Sequence, residues 1–203
     1  MRELILGGQK SGKSRWAEEI ARAWLARSEE HRAVLLATGL PHDEEMRERI
    51  ARHQADRAQR LPALQCIEES GDLGARLREL SDPRTLIVID CLTLWLTQLL
   101  MPLPMPQSMP SEATNFKQNE ALAGMKYALN ASELIASLLS ALASCEAQVV
   151  LVSNEIGLGV IPLGREVRSF VDELGKLNQA VAQRCEIVTL MAAGCAIKVK
   201  EPR

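Results

Sequence analysis

The sequence predicts an α/β domain whose central sheet is mostly parallel and covered by helices on both faces. Three observations predict it. Short aliphatic runs alternate with stretches of helical spacing along most of the chain, the pattern of strand–helix–strand units. The hydrophobic fraction is 47% and the aromatic fraction only 3%, so the core must be built from Leu, Val, Ile and Ala, the usual filling of buried parallel strands. The first strand-to-helix junction carries a glycine-rich loop. A length of 203 residues suits one such domain, spanning 1–203, better than two.

The elements follow in order. Residues 3–6 (ELIL) form a first strand, and 12–27 read as a helix with Trp16, Ile20 and Trp24 on one side. Ala33 to Ala37 is a second apolar run. From Asp43 to about Arg60 a charged stretch has helical spacing, with Met46, Ile50 and His53 at i, i+4 and i+7 on the face expected to turn inward. Thr85 to Ile89, followed by Asp90, is the strongest strand signal, and Leu92 to Leu100 turns straight into a helix. Pro102, Pro104, Pro106 and Pro110 then fall within nine residues, a density no regular element tolerates. The stretch 102–118 is therefore expected to be a mobile surface loop within the one domain. A long helix over about 119–143, a strand at 148–152, a helix at 165–184 and closing strands at 187–190 and 196–199 complete the alternation.

Charge and composition exclude some functions. With 24 Lys and Arg against 26 Asp and Glu, the formal charge is −2, so neither nucleic acid nor an anionic membrane is an expected partner. No apolar run reaches the ~18 residues needed to span a bilayer, and the chain opens directly on a strand, so neither stable membrane insertion nor a signal peptide is expected. Cys66, Cys91, Cys145, Cys185 and Cys195 form no C-x-x-C pair and have no histidine at zinc-ligand spacing. Reduced, mostly buried thiols in a cytoplasmic protein are the expectation.

The sharpest signal is Gly7-Gly8-Gln9-Lys10-Ser11-Gly12-Lys13-Ser14, a G-x-x-x-x-G-K-S phosphate loop after an apolar strand and before a helix. Glycines allow torsions barred to other residues, so successive N–H groups point into one concavity. The helix beginning near Gly12 offers its free N–H groups to the anion. Lys13 reaches the β- and γ-phosphates, and the Ser14 hydroxyl ligates Mg²⁺. The metal needs a second ligand, and Asp90, at the C-terminal tip of an apolar strand, is the candidate. Asp90 also suits an N-cap for the helix that follows, and the two roles are compatible. The N-K-x-D tetrapeptide of guanine-reading switch GTPases is absent, so at this length a small-molecule kinase is the expectation.

His53 admits two readings. Its spacing with Met46 and Ile50 suits a half-buried packing residue. A neutral imidazole is also a competent nucleophile toward an α-phosphate, with Arg47, Arg49 and Arg52 available to stabilise the developing charge.

The chain resembles the bifunctional cobinamide kinase/cobinamide-phosphate guanylyltransferase family from about residue 3 to 199. The resemblance rests on GGQKSGKS (7–14), LLATG (35–39), DEEMRERIARH (43–53), IEE (67–69), VIDCLTLWLTQLL (88–100), LVSNEIGLGVIP (151–162) and GKLNQAVA (175–182). The phosphate loop is generic, whereas the helix ending in histidine and the SNEIGLGVIP segment are specific to the family. The resemblance implies a RecA-like P-loop fold, ATP and GTP as nucleotides with Mg²⁺, and adenosylcobinamide and its phosphate as substrates. It also implies a homotrimer. The implied chemistry phosphorylates adenosylcobinamide, then moves GMP from GTP through a guanylylated histidine to adenosylcobinamide phosphate, releasing pyrophosphate. His53 matches the guanylylated position. Thr38, Gly39, Glu68 and Asp90 match nucleotide-contacting positions, as do Gln54, Ala55, Asp56 and Arg57. Glu68, otherwise readable as a solvated acid before a turn, would then accept from the guanine N1 and N2 donors. Asn154 and Glu155 are weaker candidates for the substrate side. The chain departs from the family in its Pro/Met-rich stretch and in Leu163-Gly164-Arg165-Glu166, where an acidic-Asn pair is more usual. The alternatives are a P-loop kinase without guanylyl transfer and a nucleotide-sensing protein without chemistry.

Overall fold

A computed structural model describes residues 1–40, 44–101 and 131–202, apart from the side chain of Arg49. The elements are β1 (Arg2–Gly7), α1 (Lys13–Leu25), β2 (Arg32–Ala37), α2 (Glu44–Arg60), β3 (Leu64–Glu68), α3 (Leu73–Glu79), β4 (Thr85–Asp90), α4 (Leu92–Leu100), α5 (Ala131–Ser144), β5 (Gln148–Val152), α6 (Arg165–Arg184), β6 (Ile187–Ala192) and β7 (Cys195–Lys200). The Pro/Met-rich stretch 102–118 and the first half of the helix expected at 119–143 lie outside the described residues.

The seven strands form one sheet in the order β3-β2-β4-β5-β1-β6-β7, parallel throughout except for β7, which runs antiparallel to β6. This is the mostly parallel α/β architecture the sequence predicts. The central strands read as unbroken aliphatic runs because both of their faces are covered. Leu4, Leu36, Ile87, Ile89, Val149 and Leu151 face one layer, where Leu73, Leu77, Trp95, Leu96, Leu138, Leu142, Leu174 and Val181 bring in α3, α4, α5 and α6. The alternate residues Ile5, Ala33, Leu35, Val88, Val150 and Val152 face the other, where α1 packs through Ala17, Ala21 and Trp24. Trp16 and Ile20 are partly buried there, as their spacing predicts.

Two elements, β3 and α3, are additional to the sequence reading. Among the described residues β3 is an edge strand paired only with β2, and three of its five residues are exposed, so it lacks the aliphatic run that marks β4. α3 is only seven residues long. It packs against α5 so closely that a methyl on Gly74 would sit 2.4 Å from Ser137, so the position has no room for a side chain. Asp72 caps α3 by accepting from the Ala75 N–H at 2.9 Å.

Register sets the functional edge. Glu68 pairs with Ala37, Ala37 with Asp90, Asp90 with Val152, and Val152 with Ile5. The C-terminal ends of five strands therefore stand in one row, with Glu68 at one end and the phosphate loop beginning just beyond Ile5 at the other. Neighbouring strands are about 4.8 Å apart, so roughly 19 Å separates the β3 and β1 ends of the row.

Candidate active site

The phosphate loop joins β1 to α1. Gly7 has φ 151° and Gly12 φ 102°, both outside the range of ordinary L-residues, and Lys10 adopts a left-handed φ of 55°. A methyl on Gly7 would lie 2.5 Å from the Met191 carbonyl oxygen and 2.7 Å from Ser11 Oγ, so the cradle requires glycine there. Gly8, Gln9 and Lys10 are exposed at the crest, and Ser11 is buried behind them. Ser11 Oγ is a buried polar atom without a hydrogen-bond partner among the described residues. The loop is braced from behind by the β6–β7 turn, where Gly194 N donates to the Ser11 carbonyl at 3.0 Å. From the segment that follows β5, Glu155 N donates to the Gly7 carbonyl at 3.1 Å.

Lys13 is buried, and its Nζ donates to the carbonyls of Gly7 at 3.0 Å and Gly8 at 2.6 Å, curling into the loop. Burial holds its ammonium below the usual lysine range, while the negative charge of Asp90 pulls it back up. The Asp90 carboxylate therefore acts on the ammonium at the centre of the loop. Ser14 is half-buried in the first turn of α1.

Asp90 is half-buried and ends β4. The cap of α4 comes from its neighbour: Cys91 Sγ accepts from Leu94 N at 3.4 Å. The capping role that suits Asp90 in the sequence thus belongs to Cys91. Burial pushes the Cys91 thiol up to about 11, with Asp90 adding to the shift, so it stays protonated beside Lys13. All five cysteines are free; Cys91, Cys145 and Cys185 are buried, while Cys66 and Cys195 are exposed.

Thr38 is fully buried. Its Oγ1 donates to the Cys91 carbonyl at 2.7 Å and accepts from Cys91 N at 2.8 Å, while its own N–H donates to the Asp90 carbonyl at 3.1 Å. Gln98 Nε2 donates to the Thr38 carbonyl at 2.6 Å. Thr38 thereby clamps the tip of β2 to the Asp90–Cys91 end of β4. A methyl on the adjoining Gly39 would meet Leu94 at 3.5 Å and Ile50 at 3.8 Å, so α4 and α2 converge over this tip.

His53 lies midway along α2 and is exposed, while Met46 and Ile50 on the same stripe are half-buried. The inward packing role suggested by periodicity is thus not the one His53 has. The reason lies in composition: α2 has too few apolar residues to bury more than a narrow seam. Of the residues that follow, Gln54 Nε2 donates to Glu68 Oε1 at 3.3 Å, Ala55 and Asp56 are exposed, and Arg57 is half-buried with its Nη1 3.6 Å from Cys66 Sγ. Glu68 is exposed at the end of β3. His53 therefore sits one residue from a side chain that touches Glu68, at the β3 end of the row.

A cavity of about 370 Å³ opens on the β6 side of the loop, between residues 7–11, Glu155, Leu158 and residues 190–193. It lies on the flank away from Asp90 and His53. Asn154 is held by two side chains the sequence reading did not single out: its N–H donates to Thr93 Oγ1 at 2.8 Å, and its carbonyl accepts from Asn178 Nδ2 at 3.1 Å. Both are polar residues buried on otherwise apolar helical faces, the one signal by which sequence alone could mark them.

A family model described as cobinamide kinase / cobinamide phosphate guanyltransferase matches residues 3–199. The chain is 41% identical over 201 residues to the bifunctional adenosylcobalamin biosynthesis protein CobP of Pseudomonas aeruginosa, covering 98% of each chain. It is 31% identical over 197 residues to the corresponding protein CobU of Escherichia coli, covering 97% of this chain and 98% of that one. Among solved structures it is similar to the flagellar accessory protein FlaH of Methanocaldococcus jannaschii, with 12% identity, a TM-score of 0.48, and coverage of 99% of this chain and 78% of that chain.

Proposed function

The chain belongs to the cobinamide kinase / cobinamide phosphate guanyltransferase family, and from that membership we propose that it carries out two successive transfers in cobalamin biosynthesis. A nucleoside triphosphate, ATP or GTP, first phosphorylates the aminopropanol hydroxyl of adenosylcobinamide. GMP then moves from GTP to adenosylcobinamide phosphate, giving adenosyl-GDP-cobinamide and pyrophosphate. The observation that carries the guanylyl half is the Gln54–Glu68 contact, because it sets the His53 helix at the opposite end of the strand row from Lys13.

In this reading a nucleoside triphosphate lies along the row, its base at Glu68 and its γ-phosphate at the loop. Gly7 to Ser14 cradle the phosphates, and Lys13 exchanges its two carbonyl acceptors for β- and γ-phosphate oxygens. Thr38 holds Asp90 in place from below. Ser14 and Asp90 supply a hydroxyl and a carboxylate, hard oxygen ligands suited to Mg²⁺, and the orphaned Ser11 hydroxyl marks a cradle built for a polar guest. When bound, the metal neutralises charge on the phosphates. The α-phosphate lies nearer the base than the γ-phosphate does, hence nearer His53. An imidazole nitrogen attacks it, an N–P bond forms, the α–β bridging bond breaks, and pyrophosphate leaves. A phosphate oxygen of adenosylcobinamide phosphate then attacks the same phosphorus and releases the histidine. α2 closes on GTP to bring His53 into line.

The experiment that tests this reading measures each transfer separately in wild type and Glu68→Gln. Wild type should form both products. The variant should lose about 10- to 100-fold in kcat/KM for GTP in guanylyl transfer, because a guanine donor is left unpaired. Phosphoryl transfer from ATP should change by less than about threefold. Undiminished use of GTP by the variant would remove Glu68 from base recognition.

We also propose a cytoplasmic homotrimer. Leu158, Val160, Ile161 and Leu163 are 79%, 96%, 77% and 97% exposed on one segment, large apolar side chains of the kind that a subunit contact covers. Light scattering should give three times 22.4 kDa, and a monomer would contradict the assembly.

A further inference from the structure

We propose that Glu18 is a positioning residue for guanylyl transfer, tying the helix that follows the phosphate loop to the helix that carries His53. The proposal rests on the guanylyl-transfer reading above.

Glu18 is a carboxylate only 6% exposed on α1. A buried carboxylate persists only when partnered, and its partners come from α2. Arg60 grips it with both prongs, Nε to Oε2 at 2.8 Å and Nη2 to Oε1 at 3.0 Å. Arg57 Nε lies 3.8 Å from Oε1. A third tie runs from Arg22 on α1, whose Nη2 donates to the Arg60 carbonyl at 3.0 Å.

Helical spacing makes these ties relevant to His53. Met46, Ile50, His53, Arg57 and Arg60 fall at i, i+4, i+7, i+11 and i+14, one continuous stripe along α2. His53 sits between Ile50, seated against the β2 tip, and Arg57 and Arg60, seated on Glu18. Along the axis Arg57 is about 6 Å from His53 and Arg60 about 10 Å. On α1, Glu18 is four residues beyond Ser14, one turn from the phosphate site. The helix that carries His53 is thus anchored to the helix of the phosphate cradle through one carboxylate, the fixed point about which α2 closes. α2 depends on such a tie because its apolar stripe is too narrow to fix its roll and tilt. The ends of α2 are anchored on different partners, so loss of the Glu18 anchor lets His53 drift while leaving the cradle intact.

The test compares wild type with Glu18→Gln, Arg60→Gln and the charge-reversed Glu18→Arg/Arg60→Glu protein. Two single-turnover rates are measured: α-³²P label passing from GTP to protein, and γ-phosphoryl transfer from ATP to adenosylcobinamide. Both single variants should label about 10- to 100-fold more slowly at saturating GTP, the cost of displacing a reacting group by about 1 Å. Their phosphoryl-transfer rates and KM for ATP should stay within about threefold of wild type. The reversed pair should recover at least about tenfold of the lost labelling rate. Amide hydrogen exchange should quicken over 44–60 and stay unchanged over 7–25. Labelling and phosphoryl transfer falling in parallel would reduce Glu18 to a support of the fold and overturn the inference, as would unchanged labelling in the variants. A wild type that takes no label at all is a different result, since it refutes the guanylyl-transfer reading and this inference with it.

Discussion

Lys13→Ala is expected to abolish both transfers together, lowering each kcat/KM by about 10³-fold or more. Both reactions use one phosphate cradle in this account. The side chain removed is the buried ammonium that bridges the loop carbonyls and feels the Asp90 carboxylate. Its replacement opens little apolar space, and the cradle is independently braced by Gly194 N on the Ser11 carbonyl and by Glu155 N on the Gly7 carbonyl. The variant should therefore fold, and its thermal midpoint should separate lost chemistry from lost structure. Steady-state assays of pyrophosphate release and of phosphoryl transfer check the expectation. Survival of either reaction at near wild-type rate would mean a second nucleotide site.

His53→Ala should split the two activities. Guanylyl transfer should fall by about 10⁴-fold or more, because the account makes His53 the covalent nucleophile. Phosphoryl transfer should stay within about threefold of wild type, since His53 is at the β3 end of the row and the proposed place of the γ-phosphate is at the β1 end. Stability should change little, because His53 is exposed, and exposed helix positions usually shift stability by less than about 0.5 kcal/mol on substitution. Loss of both activities would point instead to a histidine that shapes the shared site.

Much of the fold is legible in the sequence. β4 announces itself as Leu-Ile-Val-Ile before Asp90, because a central parallel strand is apolar on both faces. The phosphate loop is legible because its glycines answer to backbone torsions, seen in Gly7 at φ 151° and Gly12 at φ 102°. β3 escapes notice for the converse reason: an edge strand with three exposed residues out of five needs no aliphatic run. The site is legible only where chemistry and backbone demand coincide. Periodicity rightly groups His53 with Met46 and Ile50 but misjudges its burial, since a stripe on so polar a helix need not be covered along its whole length. Thr38 shows another limit. Its hydroxyl is engaged by both backbone groups of Cys91, a long-range partnership that no local spacing announces. The Glu18–Arg60 tie joins residues 42 apart in sequence, and no local spacing points from one to the other.

The central claim is that one edge of one sheet serves two transfers, with His53 as the covalent relay. The most direct test incubates purified protein with Mg²⁺ and α-³²P-labelled GTP, beside His53→Ala, and counts the denatured chains. The account predicts acid-labile, base-stable label on wild type and none on the variant, the behaviour of a phosphoramidate. An unlabelled wild type that still transfers a γ-phosphate would contradict it and leave a plain P-loop kinase.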